Sequence, residues 1–263
     1  MSQTSLGHSV DPYPLLEVLG PATSRLLQAV RGLSDADLRH TSRLPGWTRG
    51  HVLSHLARNA DALVNLYVSA ATGEERPMYA SPQRRNADID EGAGRSLGEL
   101  LDDLAESHDR MTAAAARVHH SDWSTVVRPG GQRAPMAAAV IPLLRLAEVE
   151  IHHVDLDIAY RPADWSGPWL EIFLPQAASG LSARAGQAVR LVATDTGSVV
   201  DGGAGPATEG SADGGGSGVA DRAEPTLVTG TSAELLAWIT GRSGGSVLDL
   251  RPGDRLPSLP SWR

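Results

Sequence analysis

Helical periodicity is the feature that most restricts how this chain can fold. Four segments of the 263-residue sequence repeat apolar residues every three or four positions. This spacing places the apolar side chains on one face of an α-helix. The segments cover about residues 14–33, 49–72, 96–118 and 142–159. Four amphipathic helices joined by loops predict a four-helix bundle over roughly residues 1–160.

Capping residues predict where two of these helices begin and end. Thr48 is a candidate N-cap of the second helix, and Gly73 is a candidate C-terminal stop. Ser96 and Glu99 have the spacing of a capping box at the start of the third helix. The intervening residues 74–94 are rich in Arg, Asp, Pro and Gly, and they predict an irregular loop.

The pattern changes after Trp165 from helices alone to helices mixed with short strands. Helices are predicted over residues 168–185 and 231–241, and strands over residues 188–193, 226–229 and 246–250. This mixture predicts a smaller α+β domain over residues 164–263, after a helix-bundle domain over residues 1–163. Residues 201–222 contain eight glycines together with serine and aspartate, and they predict a surface insertion in the second domain.

The composition excludes several classes of function. The chain has no cysteine, which excludes disulfides, zinc fingers, iron–sulfur clusters and a cysteine nucleophile. Its 31 acidic and 23 basic residues give a net charge of −8, which argues against binding nucleic acid or an anionic membrane. No apolar run reaches the length of about 18 residues that a membrane span needs, and residues 1–12 lack the pattern of a signal peptide. We therefore expect a cytoplasmic protein whose chemistry uses histidines, carboxylates or a metal ion.

Two segments place metal-ligating residue types at helical spacing. His51 and His55 are four residues apart near the start of the second helix, and Glu148 and His152 are four apart in the fourth. Apolar residues surround the second pair, so a buried acid beside a buried imidazole is expected there. A catalytic zinc site has three such ligands and one open position. One histidine of the second helix with Glu148 and His152 meets that requirement, although histidine pairs at this spacing also occur as surface or capping residues.

Arginine is the only basic residue of the chain besides histidine. Arg85 lies in the predicted loop after the second helix, and Arg242 follows the predicted helix that ends at Gly241. Arg242 has two interpretations. It satisfies the last carbonyl groups of its helix, or its guanidinium binds a substrate carboxylate through two parallel hydrogen bonds.

Two of these segments resemble a known protein family. Residues 44–55 (LPGWTRGHVLSH) and residues 148–156 (EVEIHHVDL) resemble the mycothiol-dependent maleylpyruvate isomerase family. The bundle as a whole resembles the DinB-like superfamily of metal-binding four-helix proteins. Residues 73–86 and the Gly241-Arg242 pair are also similar to the isomerases. The resemblance covers nearly the whole chain, and the Gly-rich residues 201–222 depart from it.

The resemblance implies a metal site and two substrate-binding residues. It implies zinc bound by His55, Glu148 and His152, with Asp155 orienting His152 from behind. It also implies that Arg85 and Arg242 bind the carboxylates of the substrate. The cofactor implied beside zinc is mycothiol, the low-molecular-weight thiol of actinobacteria.

The implied reaction is the cis–trans isomerisation of maleylpyruvate to fumarylpyruvate in gentisate degradation. A thiolate adds to the double bond, allows rotation and then leaves. The implied partners are therefore a small dicarboxylate substrate and a low-molecular-weight thiol, with no nucleic acid and no membrane. Two alternatives stay open: another mycothiol-dependent S-transferase on the same scaffold, or a non-enzymatic zinc-binding regulator. The sequence leaves the oligomeric state open.

Overall fold

The computed structural model describes residues 10–131, 133–203 and 224–260. The chain divides into two compact units, Met1–Tyr160 and Arg161–Arg263. Residues 204–222 of the predicted insertion lie outside the described residues. Within the described ranges, no helix is both long enough and apolar enough to cross a membrane.

The first unit is the predicted four-helix bundle. Its helices are α1 (Pro12–Val30), α2 (Asp35–Leu38), α3 (Arg49–Thr72), α4 (Pro82–Ala93), α5 (Leu97–Ala115) and α6 (Ile141–Asp155). Of the four long helices, α1 packs against α5 and α6, and α3 packs against the same two. These contacts close a ring around one apolar core, as the periodicity predicts.

Local signals explain the ends of α3 and α5. The Thr48 side chain accepts a hydrogen bond from the backbone N–H of His51, and Gly73 ends α3 in the left-handed conformation at φ 75°. Ser96 accepts a hydrogen bond from the backbone N–H of Glu99 and caps α5. These capping contacts are the ones that the sequence predicts.

The prediction of an irregular loop over residues 74–94 is wrong for its second half. Residues 82–93 form α4, with Ser81 as the N-cap and Pro82 in the first turn. The periodicity did not reveal this helix because Ile89 is its one large buried side chain. Arg85 therefore lies on a helix rather than in a loop, and that helix packs against α3.

The second unit has the predicted α+β composition. It contains α7 (Gly167–Ala178), α8 (Leu181–Ala185) and α9 (Ser232–Ile239). After β1 (Val126–Val127) and β2 (Met136–Ala137) of the first unit, its strands are β3 (Val189–Ala193), β4 (Val199–Asp201), β5 (Thr226–Gly230) and β6 (Asp249–Leu250). The sheet order is β4-β3-β5-β6, with β3 and β5 parallel and the outer pairs antiparallel. α9 packs on β3 and β5 and against α7.

Candidate metal centre

The candidate ligands meet where α3 and α6 pack against each other. Nε2 of His55 lies 2.9 Å from Oε2 of Glu148, and Nε2 of His152 lies 3.2 Å from the same oxygen. One ligand atom from each of the three residues lies within 4.8 Å of the other two. The structure thus brings together the three predicted ligands, although His55 and Glu148 are 93 positions apart in the chain.

Burial and hydrogen bonds together determine the charges of the three side chains in this cluster. Burial lowers the pKa of His55 to about 4, which keeps its imidazole neutral. Burial also opposes the charged form of His152, but hydrogen bonds with Asp155 and Glu148 outweigh it and raise the pKa to about 9. Burial alone would raise the pKa of Glu148, yet hydrogen bonds from His152 and His55 hold it well below its ordinary value. The cluster therefore contains a carboxylate, a neutral imidazole and an imidazolium.

Asp155 holds the ring of His152 from the side opposite to the cluster. Its Oδ2 accepts a hydrogen bond from Nδ1 of His152 at 2.8 Å, and its side chain is only 1% exposed. A carboxylate on Nδ1 fixes the ring orientation and leaves Nε2 to face the cluster. This is the position in which a metal-ligating histidine is usually supported.

The neighbouring histidines have other partners. Nδ1 of His51 accepts a hydrogen bond from the backbone N–H of Thr48 at 3.2 Å, so His51 takes part in capping α3. His153 stacks face to face on Tyr160, with ring centroids 3.8 Å apart. Neither residue belongs to the group of three whose ligand atoms converge.

Arg85 reaches the edge of the cluster from α4. Its Nη2 donates a hydrogen bond to Nδ1 of His55 at 3.3 Å, and its guanidinium lies 5.7 Å from the centre of the Tyr79 ring. Burial raises the pKa of Tyr79, and the negative charge of Glu148 raises it further. Tyr79 is a residue of the site that is not among those predicted from the sequence. Its place in the same segment as Arg85 was the available signal.

Trp47 is a second aromatic neighbour of the cluster. It precedes the N-cap of α3, and its ring centroid lies 5.4 Å from that of His55. The same indole stacks with His51 at 6.3 Å. In the sequence Trp47 is only one residue of the motif over residues 44–55, because its contacts with the histidines depend on the conformation of the loop before α3.

Arg242 belongs to the second unit. One of its guanidinium nitrogens donates a hydrogen bond to the backbone oxygen of Thr240 at 2.6 Å. Arg242 also lines a cavity of about 660 Å³ together with Trp165, Asp195 and Thr231 of the same unit. The hydrogen bond to Thr240 agrees with the interpretation of Arg242 as a helix-terminal cation. The cavity places the guanidinium beside a space that a ligand could enter.

The donor set fits a divalent metal ion such as zinc. Two imidazole nitrogens and one carboxylate oxygen converge on one point, and three protein ligands leave a coordination position open for a further ligand. The two nitrogens share a single oxygen of Glu148 in the structure. A cation between them would satisfy all three groups without an imidazolium, and metal binding would therefore release a proton.

The fold and the cluster together define the class of protein to which the chain belongs. The class is that of helix-bundle proteins that hold a metal ion between facing helices, because the His/Glu/His cluster lies between two helices of the bundle. The sequence pattern of the mycothiol maleylpyruvate isomerase N-terminal domain matches residues 19–157, just over half of the chain. The chain therefore belongs to the mycothiol maleylpyruvate isomerase family, as the resemblance of its motifs predicts.

Two solved structures are similar to the chain over almost its whole length. One is a crystal structure of the mycothiol-dependent maleylpyruvate isomerase, with 26% sequence identity and a TM-score of 0.80 over 97% of this chain and 98% of that chain. The other is a histidine-to-alanine mutant of the mycothiol-dependent maleylpyruvate isomerase, with 25% identity, a TM-score of 0.79 and the same coverage. No curated protein sequence matches the chain.

Proposed function

We propose that the chain is a metal- and mycothiol-dependent cis–trans isomerase that converts maleylpyruvate to fumarylpyruvate in gentisate degradation. The observation that carries this proposal is the converging cluster of His55, Glu148 and His152 with a guanidinium at its edge. The similarity to the mycothiol-dependent maleylpyruvate isomerase over both units supports the same reaction.

The reaction needs a nucleophile because a carbon–carbon double bond rotates only after its π bond is broken. A thiolate forms a bond to the alkene carbon that is β to the keto group, and the π electrons move to the keto oxygen as an enolate. Rotation about the resulting single bond follows. The enolate then re-forms the double bond and expels the thiolate, so that no atom is gained or lost.

The chain must obtain its thiol from outside because it contains no cysteine. Zinc held by His55, Glu148 and His152 would supply the positive charge that keeps a thiol ionised near neutral pH. Asp155 keeps the His152 ring turned towards this position. The side chain of Glu148 is mostly buried, and its low pKa keeps it ionised there.

Arg85 is positioned to bind the substrate in this proposal. Its guanidinium lies 3.3 Å from His55 and is therefore beside the reacting centre. A guanidinium binds a carboxylate through two parallel hydrogen bonds, and its charge favours the enolate that forms during addition. We assign Arg242 to a carboxylate of the substrate because the Gly241-Arg242 pair is similar to the isomerases.

The test is the conversion of maleylpyruvate by purified, zinc-loaded protein, followed by absorbance with and without mycothiol. We expect isomerisation only when both the protein and mycothiol are present. Absence of acceleration with both present would contradict the proposed reaction. Consumption of mycothiol by other electrophiles, without isomerisation, would instead favour an S-transferase on this scaffold.

A further inference from the structure

A buried arginine lies one turn from the candidate metal ligands and has no role in the chemistry described above. Arg145 lies on α6 three residues before Glu148, and its side chain is fully buried. Its Nη1 donates hydrogen bonds to the backbone oxygen of Leu56 at 2.7 Å and to Oδ1 of Asn59 at 2.9 Å. Both acceptors are on α3, one and four residues after His55.

No salt bridge holds this arginine within the described part of the chain. Among the residues that the structure describes, Nε and Nη2 of Arg145 have no hydrogen-bond partner. Burial lowers the pKa of this guanidinium to about 10, as expected for a cation removed from water. The charge of Glu148 offsets this effect only in part. A buried charge that is incompletely paired costs stability, and an apolar side chain of similar size often stabilises a core at least as well. Stability alone therefore does not explain why an arginine occupies this position, and its hydrogen bonds to α3 suggest another role.

The contacts between α3 and α6 form two successive rungs. In one rung His55 meets Glu148 at 2.9 Å, and in the next Asn59 meets Arg145 at 2.9 Å. Residue numbers rise along α3 and fall along α6, so the two helices are antiparallel. Residues three or four apart lie on one face of a helix, and each rung is therefore one turn from the other on both helices.

We propose that Arg145 is a positioning residue that sets the register of α3 against α6 and thereby places His55 opposite Glu148. The inference rests on the proposed metal site. Buried polar groups are well suited to this role, because a shift of one helix against the other by a single turn would leave them unsatisfied. An apolar residue at position 145 would tolerate such a shift. The guanidinium thus acts on the metal centre through the spacing of its ligands and without touching the metal.

The test compares zinc affinities, measured by competition with a chromophoric chelator. Arg145→Met removes the hydrogen bonds but keeps much of the volume, and it should weaken zinc binding by about 10- to 100-fold, as loss of a support for metal ligands typically does. Arg145→Lys keeps a donor and the charge, and it should recover part of that loss. Leu104→Ala is the matched control, since it removes buried volume on α5, which carries none of the three candidate ligands. It should lower thermal stability and leave zinc affinity unchanged.

Each failure has a separate meaning. If the unmodified protein binds no zinc, the proposed metal site is wrong. If Arg145→Met binds zinc as tightly as the unmodified protein does, or if Leu104→Ala weakens zinc binding equally, the positioning role is wrong. Should Arg145→Met fail to fold, Asn59→Leu removes one acceptor from the same rung and keeps the arginine. It should weaken zinc binding in the same direction, and an unchanged affinity would overturn the inference.

Discussion

Gly50 gives a sharp test of how α4, the helix that carries Arg85, is held against α3. A Cβ atom added at Gly50 would lie 2.4 Å from the backbone oxygen of Ala93, at the end of α4. Ordinary contacts of a Cβ atom begin near 3.4 Å. In Gly50→Ala, one helix must therefore move by about 1 Å, and a backbone oxygen cannot rotate away as a flexible side chain can.

The size of the effect follows from two opposing contributions. Alanine favours a helix interior over glycine by about 1 kcal/mol. Overpacking a well-packed contact costs about 1–3 kcal/mol. Gly98→Ala on α5 is the matched control, because Gly98 is also the second residue of its helix and a Cβ atom there would meet nothing within 4 Å. The helix gain is common to both variants, so Gly50→Ala should be less stable than Gly98→Ala by about 1–3 kcal/mol.

Urea denaturation followed by far-ultraviolet circular dichroism measures this difference as a free energy of unfolding. We also expect Gly50→Ala to lower the isomerisation rate while zinc content stays unchanged, because contacts with α5 and α6 hold α3 in place and α4 moves instead, together with Arg85. Equal free energies of unfolding for the two variants would refute the close packing of α4 on α3. A loss of zinc in Gly50→Ala would instead show that α3 moves and displaces His55.

Three further variants test other contacts. Asp155→Asn should weaken zinc binding by about 10- to 100-fold, because His152 loses its charged partner; an unchanged affinity in chelator competition would contradict that support. Arg242→Lys should raise KM for the dicarboxylate without changing metal content, since lysine lacks the two-pronged geometry, and unchanged kinetics would return Arg242 to a helix-terminal role. Tyr160→Phe removes the hydroxyl that donates to Glu150 at 2.5 Å and should cost about 1.5–3 kcal/mol of unfolding free energy, whereas equal urea midpoints would show that this hydrogen bond contributes nothing.

Local signals predicted the elements that carry the candidate ligands. Thr48 and Gly73 set the ends of α3 where the structure has them, because capping depends on residues next to each other in the chain. The start of α6 was also close to its predicted position, but its end was not. The helix stops at Asp155 rather than near residue 159, and Asp157 then adopts a left-handed conformation at φ 52°. An aspartate in that conformation carries little sequence signal.

Features that depend on distant packing were not predicted. α4 has a polar sequence and follows no apolar period, so its helical structure depends on contacts with α3 as well as on the cap at Ser81. Arg145 would be expected on a surface from its residue type, and only the facing α3 reveals its burial. The predicted helix over residues 168–185 is divided at Gly180, which has a φ of 74°. A glycine inside an otherwise helical pattern does not by itself reveal whether the helix is broken.

The metal centre is the feature on which the proposed chemistry depends most directly. Its decisive measurement is the zinc content of the purified, zinc-loaded protein and of four alanine variants, determined by atomic emission after removal of loosely bound metal. We expect about one zinc ion per chain in the unmodified protein and in His51→Ala, because three ligands define one site and His51 only helps to cap α3. His55→Ala, Glu148→Ala and His152→Ala should each lose most of the zinc. Full zinc content in these three variants would contradict the assignment of the site.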